Sequence, residues 1–175
     1  MTQPVNAAAI VDVLNRHRVK FVVIGAFAAI AQRAPIPATR DIDLTPGSSR
    51  ENLTRLSAAL KELGARVCTD AVHEGLPFAH DARSLAMWSV WNLICPFGEF
   101  DISFMPSGIA GAYDELVVRA HRMRVGTLDV TVADLSDVIR SKEAAGRPKD
   151  LQVLSILYRF ERQRRERDPS APSRA

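Results

Sequence analysis

Apolar residues recur along the chain in blocks whose period changes. Over residues 5–18, Val5, Ala8, Ala9, Val13 and Leu14 alternate with polar Asp12, Asn15 and Arg16, the spacing of an amphipathic helix. FVVIG (21–25) is a continuous β-branched run closed by glycine, which predicts a buried strand. AFAAIAQRA (26–34) is built of small residues with high helix propensity, and Pro35 and Pro37 then end it and force an extended approach. TRDIDLTP (39–46) reads as a second strand. Ser48-Ser49 then open a helix over ENLTRLSAALKELG that stops at Gly64.

In the middle of the chain, ARVCT (65–69), SLAMWSVWNLICP (84–96) and GEFDISFMP (98–106) read as strands, with a glycine turn in CPFGEF. Residues 117–125 and 128–132 read as a further strand pair joined near Gly126. ADLSDVIRSKEAAG (133–146) carries its acids early and its basic residues late, as a helix dipole favours. Gly146 ends that helix and Pro148 suits the first turn of the next, KDLQVLSILYRF (149–160). No internal repeat interrupts this order. It predicts an α/β (α+β) fold, a mixed twisted sheet flanked by helices with a C-terminal helical hairpin.

Composition narrows the setting. A chain of 175 residues, 47% hydrophobic and 25% charged, makes one globular domain with a substantial core, placed here at residues 1–160. The pI near 9.2 suggests an anionic partner, but the excess charge is concentrated at the end. Residues 161–175 hold five arginines against three acids, while the remaining 160 residues hold 18 basic and 17 acidic side chains. That end reads as a charged, disordered tail. Cys68 and Cys95 show no paired spacing, which favours a reducing compartment over disulfides or a zinc site. With no signal-peptide pattern and no long apolar run, the expectation is a cytoplasmic protein with no membrane partner.

The chemistry centres on Asp41 and Asp43. Twelve aspartates in 175 positions would give about one such pair by chance, so its context has to carry the argument. Strand alternation puts both carboxylates on one face, with Ile42 and Leu44 turned to the core and the Cα atoms roughly 6.5–7 Å apart. Two carboxylates so placed can share Mg²⁺ (or Mn²⁺), the hard-cation arrangement used for in-line phosphoryl displacement on an NTP. Asp101, between Phe100 and Ile102 on a predicted strand, is a candidate third metal ligand. Gly25 and Ala26 open a helix whose exposed N–H groups suit phosphate. Lys142, Arg147, Lys149 and Asp150 flank the break at Gly146-Arg147-Pro148, so their side chains can converge. The three cations suit a triphosphate. Asp150 is a candidate metal ligand, catalytic base or holder of Lys142. Trp88 and Trp91 are candidate base-stacking residues or sheet surface. Arg119 and HRMR (121–124) read as basic groups alternating along a strand.

Taken together, these elements resemble the nucleotidyltransferase superfamily of DNA polymerase β type. They run as strand, Gly plus a small residue, about a dozen residues, Asp-hydrophobic-Asp-hydrophobic, then a later hydrophobic-Asp-hydrophobic. SKEAAGRPKDLQVL (141–154) is similar to the Lys…GRxKD signature of the AbiEii/MenT group of nucleotidyltransferase toxins. The resemblance spans about residues 18–155. Where that family commonly has Gly-Gly or Gly-Ser, this chain has Gly25-Ala26 and lacks the serine hydroxyl. The resemblance implies transfer of a nucleoside monophosphate to an acceptor, with Asp41, Asp43, Lys142 and Asp150 catalytic. It further implies a tRNA 3′ end as acceptor, and a growth-inhibiting toxin opposed by a cognate antitoxin protein. The alternatives are a small-molecule nucleotidyltransferase, such as an antibiotic-modifying one, and a nucleotide- or RNA-binding pseudoenzyme.

Overall fold

A computed structural model describes residues 5–167, which arrange as α1 (Ala7–Arg16), β1 (Phe21–Ile24), α2 (Gly25–Ala31), β2 (Asp41–Pro46), α3 (Arg50–Glu62), β3 (Arg66–Thr69), β4 (Val72–Leu76), α4 (Ala82–Leu85), β5 (Val90–Cys95), β6 (Gly98–Ser103), α5 (Ala112–Arg119), β7 (His121–Val125), β8 (Leu128–Val132), α6 (Leu135–Ala145) and α7 (Pro148–Arg167). The strands form one eight-stranded sheet in the order β4-β3-β5-β6-β2-β1-β8-β7. It is mixed. β2 runs parallel to β6 and β1 parallel to β8, while β1–β2, β5–β6, β3–β5, β3–β4 and β7–β8 are antiparallel.

The core follows the apolar pattern. All four residues of β1 are buried, and Ile42, Leu44, Phe100 and Ile102 are sealed on the inner face of β2 and β6. Ser49 caps α3 by accepting from the Asn52 backbone N–H, and Asn52 in turn ties the start of β1 to the end of β2 through Lys20 and Gly47. Gly146 takes a left-handed conformation at the end of α6, and Pro148 opens α7, so the helical hairpin forms as its punctuation dictates. α6 packs on both α2 and α7. That packing brings the C-terminal hairpin to the glycine end of β1. Cys68 and Cys95 are free thiols. Among the described residues no helix is long and apolar enough to cross a membrane.

Four segments depart from the sequence expectations. The run expected as a strand from residue 84 begins as helix α4, because Asp81 and Ser84 close a reciprocal capping box. The strand expected from 117 is helix α5 through Arg119, with Asp114 and Glu115 favouring its first turn; β7 starts at His121. β4, which carries little apolar signal, was not foreseen. Finally, α7 continues past the expected boundary at 160 to Arg167, where Arg164 donates to the Gln32 side chain at 3.2 Å. The expected disordered tail therefore does not hold for residues 161–167, and residues 168–175 lie outside the described residues.

Candidate active site

β2 supplies the central pair. Its exposure alternates so that Ile42 and Leu44 are buried while Asp41 and Asp43 sit half-buried on the opposite face. In register with them, Asp43 is the direct neighbour of Asp101 on parallel β6, and Asp41 is the neighbour of Glu99. The next strand places Asn92 opposite Asp101. A row of Asp43, Asp101 and Asn92 thus crosses three strands on one face.

Each flanking carboxylate is held by a neutral donor. The Thr39 hydroxyl donates to Asp41 Oδ1 at 2.5 Å, and Asn92 Nδ2 donates to Asp101 Oδ1 at 2.8 Å. The Asp43 carboxylate accepts no hydrogen bond from the described residues. Burial, and then the like charges of Asp41 and Asp101, push its carboxyl up to about 7, against the opposing pull of Lys142 and Lys149. Burial also raises the Asp101 carboxyl; the Asn92 bond opposes it and the Asp41 charge adds to it.

The glycine end of β1 closes on this cluster. Ile24 pairs with Asp43, and Gly25 follows with φ +73°. A Cβ there would lie 2.0 Å from Asp43 Oδ2, so the position requires glycine on both backbone and steric grounds. Gly25 and Ala26 form the first turn of α2, a helix of only seven residues.

The C-terminal hairpin brings the cations. Lys142 Nζ donates to Asp150 Oδ1 at 2.8 Å and Arg147 Nε to Asp150 Oδ2 at 2.6 Å. The Asp150 side chain is fully buried, Lys142 is 11% exposed and Arg147 is 59% exposed. Burial works to raise the Asp150 carboxyl, but the hydrogen bonds and charges of Lys142 and Arg147 together outweigh it and hold it below the usual carboxylate value. Lys142 and Lys149 act on Asp43, Lys149 also on Asp101, and Arg147 on both. The two segments singled out in the sequence therefore lie within electrostatic range of one another. Of the two candidate third acids, Asp101 stands beside Asp43, whereas both oxygens of Asp150 are engaged by cations. Asp150 thus ties Lys142 and Arg147 to one buried carboxylate.

Among the described residues no three acidic, histidine or cysteine side chains converge into a finished metal cage. The donor set still fits a hard cation, because Mg²⁺ takes few protein carboxylates and fills its sphere with water and phosphate oxygens. Asp43 stands beside Asp101, whose second oxygen is claimed by no protein donor, and carboxylate oxygens so placed are the chemistry such a cation takes.

Other expectations resolve simply. Trp91 donates through Nε1 to the Leu85 carbonyl and packs on Phe78, so it serves the structure, while Trp88 is exposed. Arg119 lies on α5 and pairs with buried Asp137, so it does not continue the β7 basic row; Arg122 and Arg124 are exposed. Thr39 and Asn92 were missed as site residues. Thr39 was legible in part, because it stands two positions before Asp41; Asn92 depends on the β5–β6 register.

No protein-family model matches the chain, and no curated protein matches it in sequence. Solved structures do. The chain is similar to a protein from Thermotoga maritima provisionally described as a nucleotidyltransferase, at 16% identity and TM-score 0.52, covering 85% of this chain and 88% of that one. It is also similar to the antibiotic-resistance factor ANT(2″)-Ia, at 15% identity and TM-score 0.53, covering 86% and 80% respectively. At these identities the shared property is the fold, which is the nucleotidyltransferase fold.

Proposed function

We propose that this chain is a metal-dependent nucleotidyltransferase, moving a nucleoside monophosphate from an NTP to an acceptor hydroxyl and releasing pyrophosphate. The observation that carries the reading is the row of Asp41, Asp43 and Asp101 closed on one side by Gly25 and faced by Lys142, Arg147 and Lys149. Asp41 and Asp43, with Asp101 beside them, would hold Mg²⁺ or Mn²⁺. Bound there, the cation supplies charge neutralisation for the phosphate oxygens at the reacting centre. Arg147 and Lys149, both exposed, grip the triphosphate. Lys142, held by Asp150, offsets charge gathering on the departing pyrophosphate.

For the acceptor we infer tRNA. The support is the exposed arginines Arg159, Arg162 and Arg167 of α7 and Arg122 and Arg124 of β7, surfaces that suit a polyanion, together with the resemblance of the Lys…GRxKD segment to nucleotidyltransferase toxins. On that reading the chain is a growth inhibitor neutralised by a cognate antitoxin. The fold likeness to an antibiotic-resistance factor favours one second reading, a small-molecule acceptor. Incubating the purified chain with each labelled NTP, and separately with total tRNA and with aminoglycosides, tests both. Label in neither acceptor with any NTP contradicts the proposal.

A further inference from the structure

The buried and half-buried acids of this site fall into two chemical kinds. Asp150 is paired with two cations, which cancel its charge and leave it nothing to offer a ligand. Asp41 and Asp101 are instead held by an alcohol and an amide, which fix a carboxylate without neutralising it. The two donors come from different elements: Thr39 lies two residues before Asp41, which opens β2, and Asn92 stands directly across β5–β6 from Asp101. Each takes the Oδ1 of its aspartate, so the other oxygen of each flanking acid stays open, with unpartnered Asp43 between them.

We propose that Thr39 and Asn92 are positioning residues for the cation site. By holding Oδ1 they set the side-chain rotation of Asp41 and Asp101, so that the two side chains present their open oxygens together with Asp43. The inference rests on the cation-assisted reading above. Neutral donors behind metal ligands typically contribute 10- to 100-fold in metal affinity, because they pre-pay the rotational freedom the ligand would lose.

The test is Mn²⁺ binding to the full chain without nucleotide, read by water-proton relaxation, alongside thermal melting in the metal-free state. Thr39→Val keeps the shape and deletes the donor, and should weaken Mn²⁺ binding by about 10-fold or more. Thr39→Ser restores the hydroxyl and should bind nearly as the wild type does. Asn92 is exposed, so Asn92→Ala keeps the fold and carries the test should Thr39→Val not fold. It too should weaken binding by about 10-fold. A purely structural role would instead lower metal-free melting and leave the affinity of the folded protein unchanged. Wild-type binding with unaltered affinity in Asn92→Ala and in folded Thr39→Val overturns this inference and leaves the cation reading standing. Failure of the wild type itself to bind Mn²⁺ overturns both.

Discussion

The backbone at Gly25 lies against the Asp43 carboxylate so closely that a Cβ would sit 2.0 Å from Oδ2. The contact joins the end of β1 to the centre of β2 and fixes where that carboxylate stands. Gly25→Ala meets two penalties, a left-handed φ and a displaced Asp43. A displacement of about 1 Å at a reacting centre can cost about 10²-fold, so nucleotide transfer should fall on that scale. Kinetics and thermal melting check this together; wild-type turnover in a folded Gly25→Ala protein would contradict it.

Asp43 also makes stability depend on pH. Its folded carboxyl is raised to about 7 from an ordinary 3.8, so between those values the folded chain holds a proton the unfolded chain has released. Stability from this group is therefore greatest at acid pH and is lost as pH rises from about 4 to about 7. Asp43→Asn should raise the metal-free melting temperature at pH 8 and flatten this part of the profile, while abolishing transfer. Mg²⁺ should stabilise the wild type more at pH 8 than at pH 5. Differential scanning at several pH values decides the matter, and a destabilised Asp43→Asn protein at pH 8 would show the burial argument to be wrong.

Lys142 and Asp150 should behave as a unit. Lys142→Ala removes a preorganised charge of the kind that contributes about 2.7–4 kcal/mol, a loss of about 10²-fold or more in turnover. It also leaves Asp150 buried with Arg147 alone. Lys142→Arg should recover only part, since a planar fork does not reproduce a compact ammonium. Asp150→Asn should lower turnover through misplaced Lys142 and Arg147, and the double variant should lose less than the two single losses combined. A double-mutant cycle in saturating NTP measures this; full additivity would separate the two residues.

Much of this site was legible in the sequence because it depends on local rules. Alternation on β2 set the faces of Asp41 and Asp43, and Gly146-Arg147-Pro148 set the hairpin that turns Lys142 toward Asp150. What was not legible depends on register and distant contacts. Nothing local pairs Asn92 with Asp101, and nothing near Gly25 reveals that Asp43 will press against it. The misread segments share a different cause: in 84–85 and 117–119 apolar and β-branched residues signalled strand, but the Asp81 cap of α4 and the first-turn acids Asp114 and Glu115 of α5 decided for helix. Arginine-rich 161–167 looked solvated, yet Arg164 reaches Gln32, which is itself bound to the Ala28 and Ala133 carbonyls.

That last contact carries its own consequence. Ending the chain after Phe160 removes the Arg164–Gln32 bond and leaves a mostly buried amide oxygen without its partner, which should cost about 1 kcal/mol. Urea unfolding of the shortened chain checks it. An unchanged midpoint would mean that residues 161–167 add nothing to the fold.

The most direct test of the central claim is transfer of α-³²P-labelled nucleotide by the wild type and by Asp41→Asn and Asp43→Asn, in Mg²⁺ and in EDTA, with total tRNA as acceptor. The account predicts label in tRNA with the wild type in Mg²⁺, and none in EDTA or with either folded variant. Transfer that persists in Asp41→Asn or Asp43→Asn would contradict it.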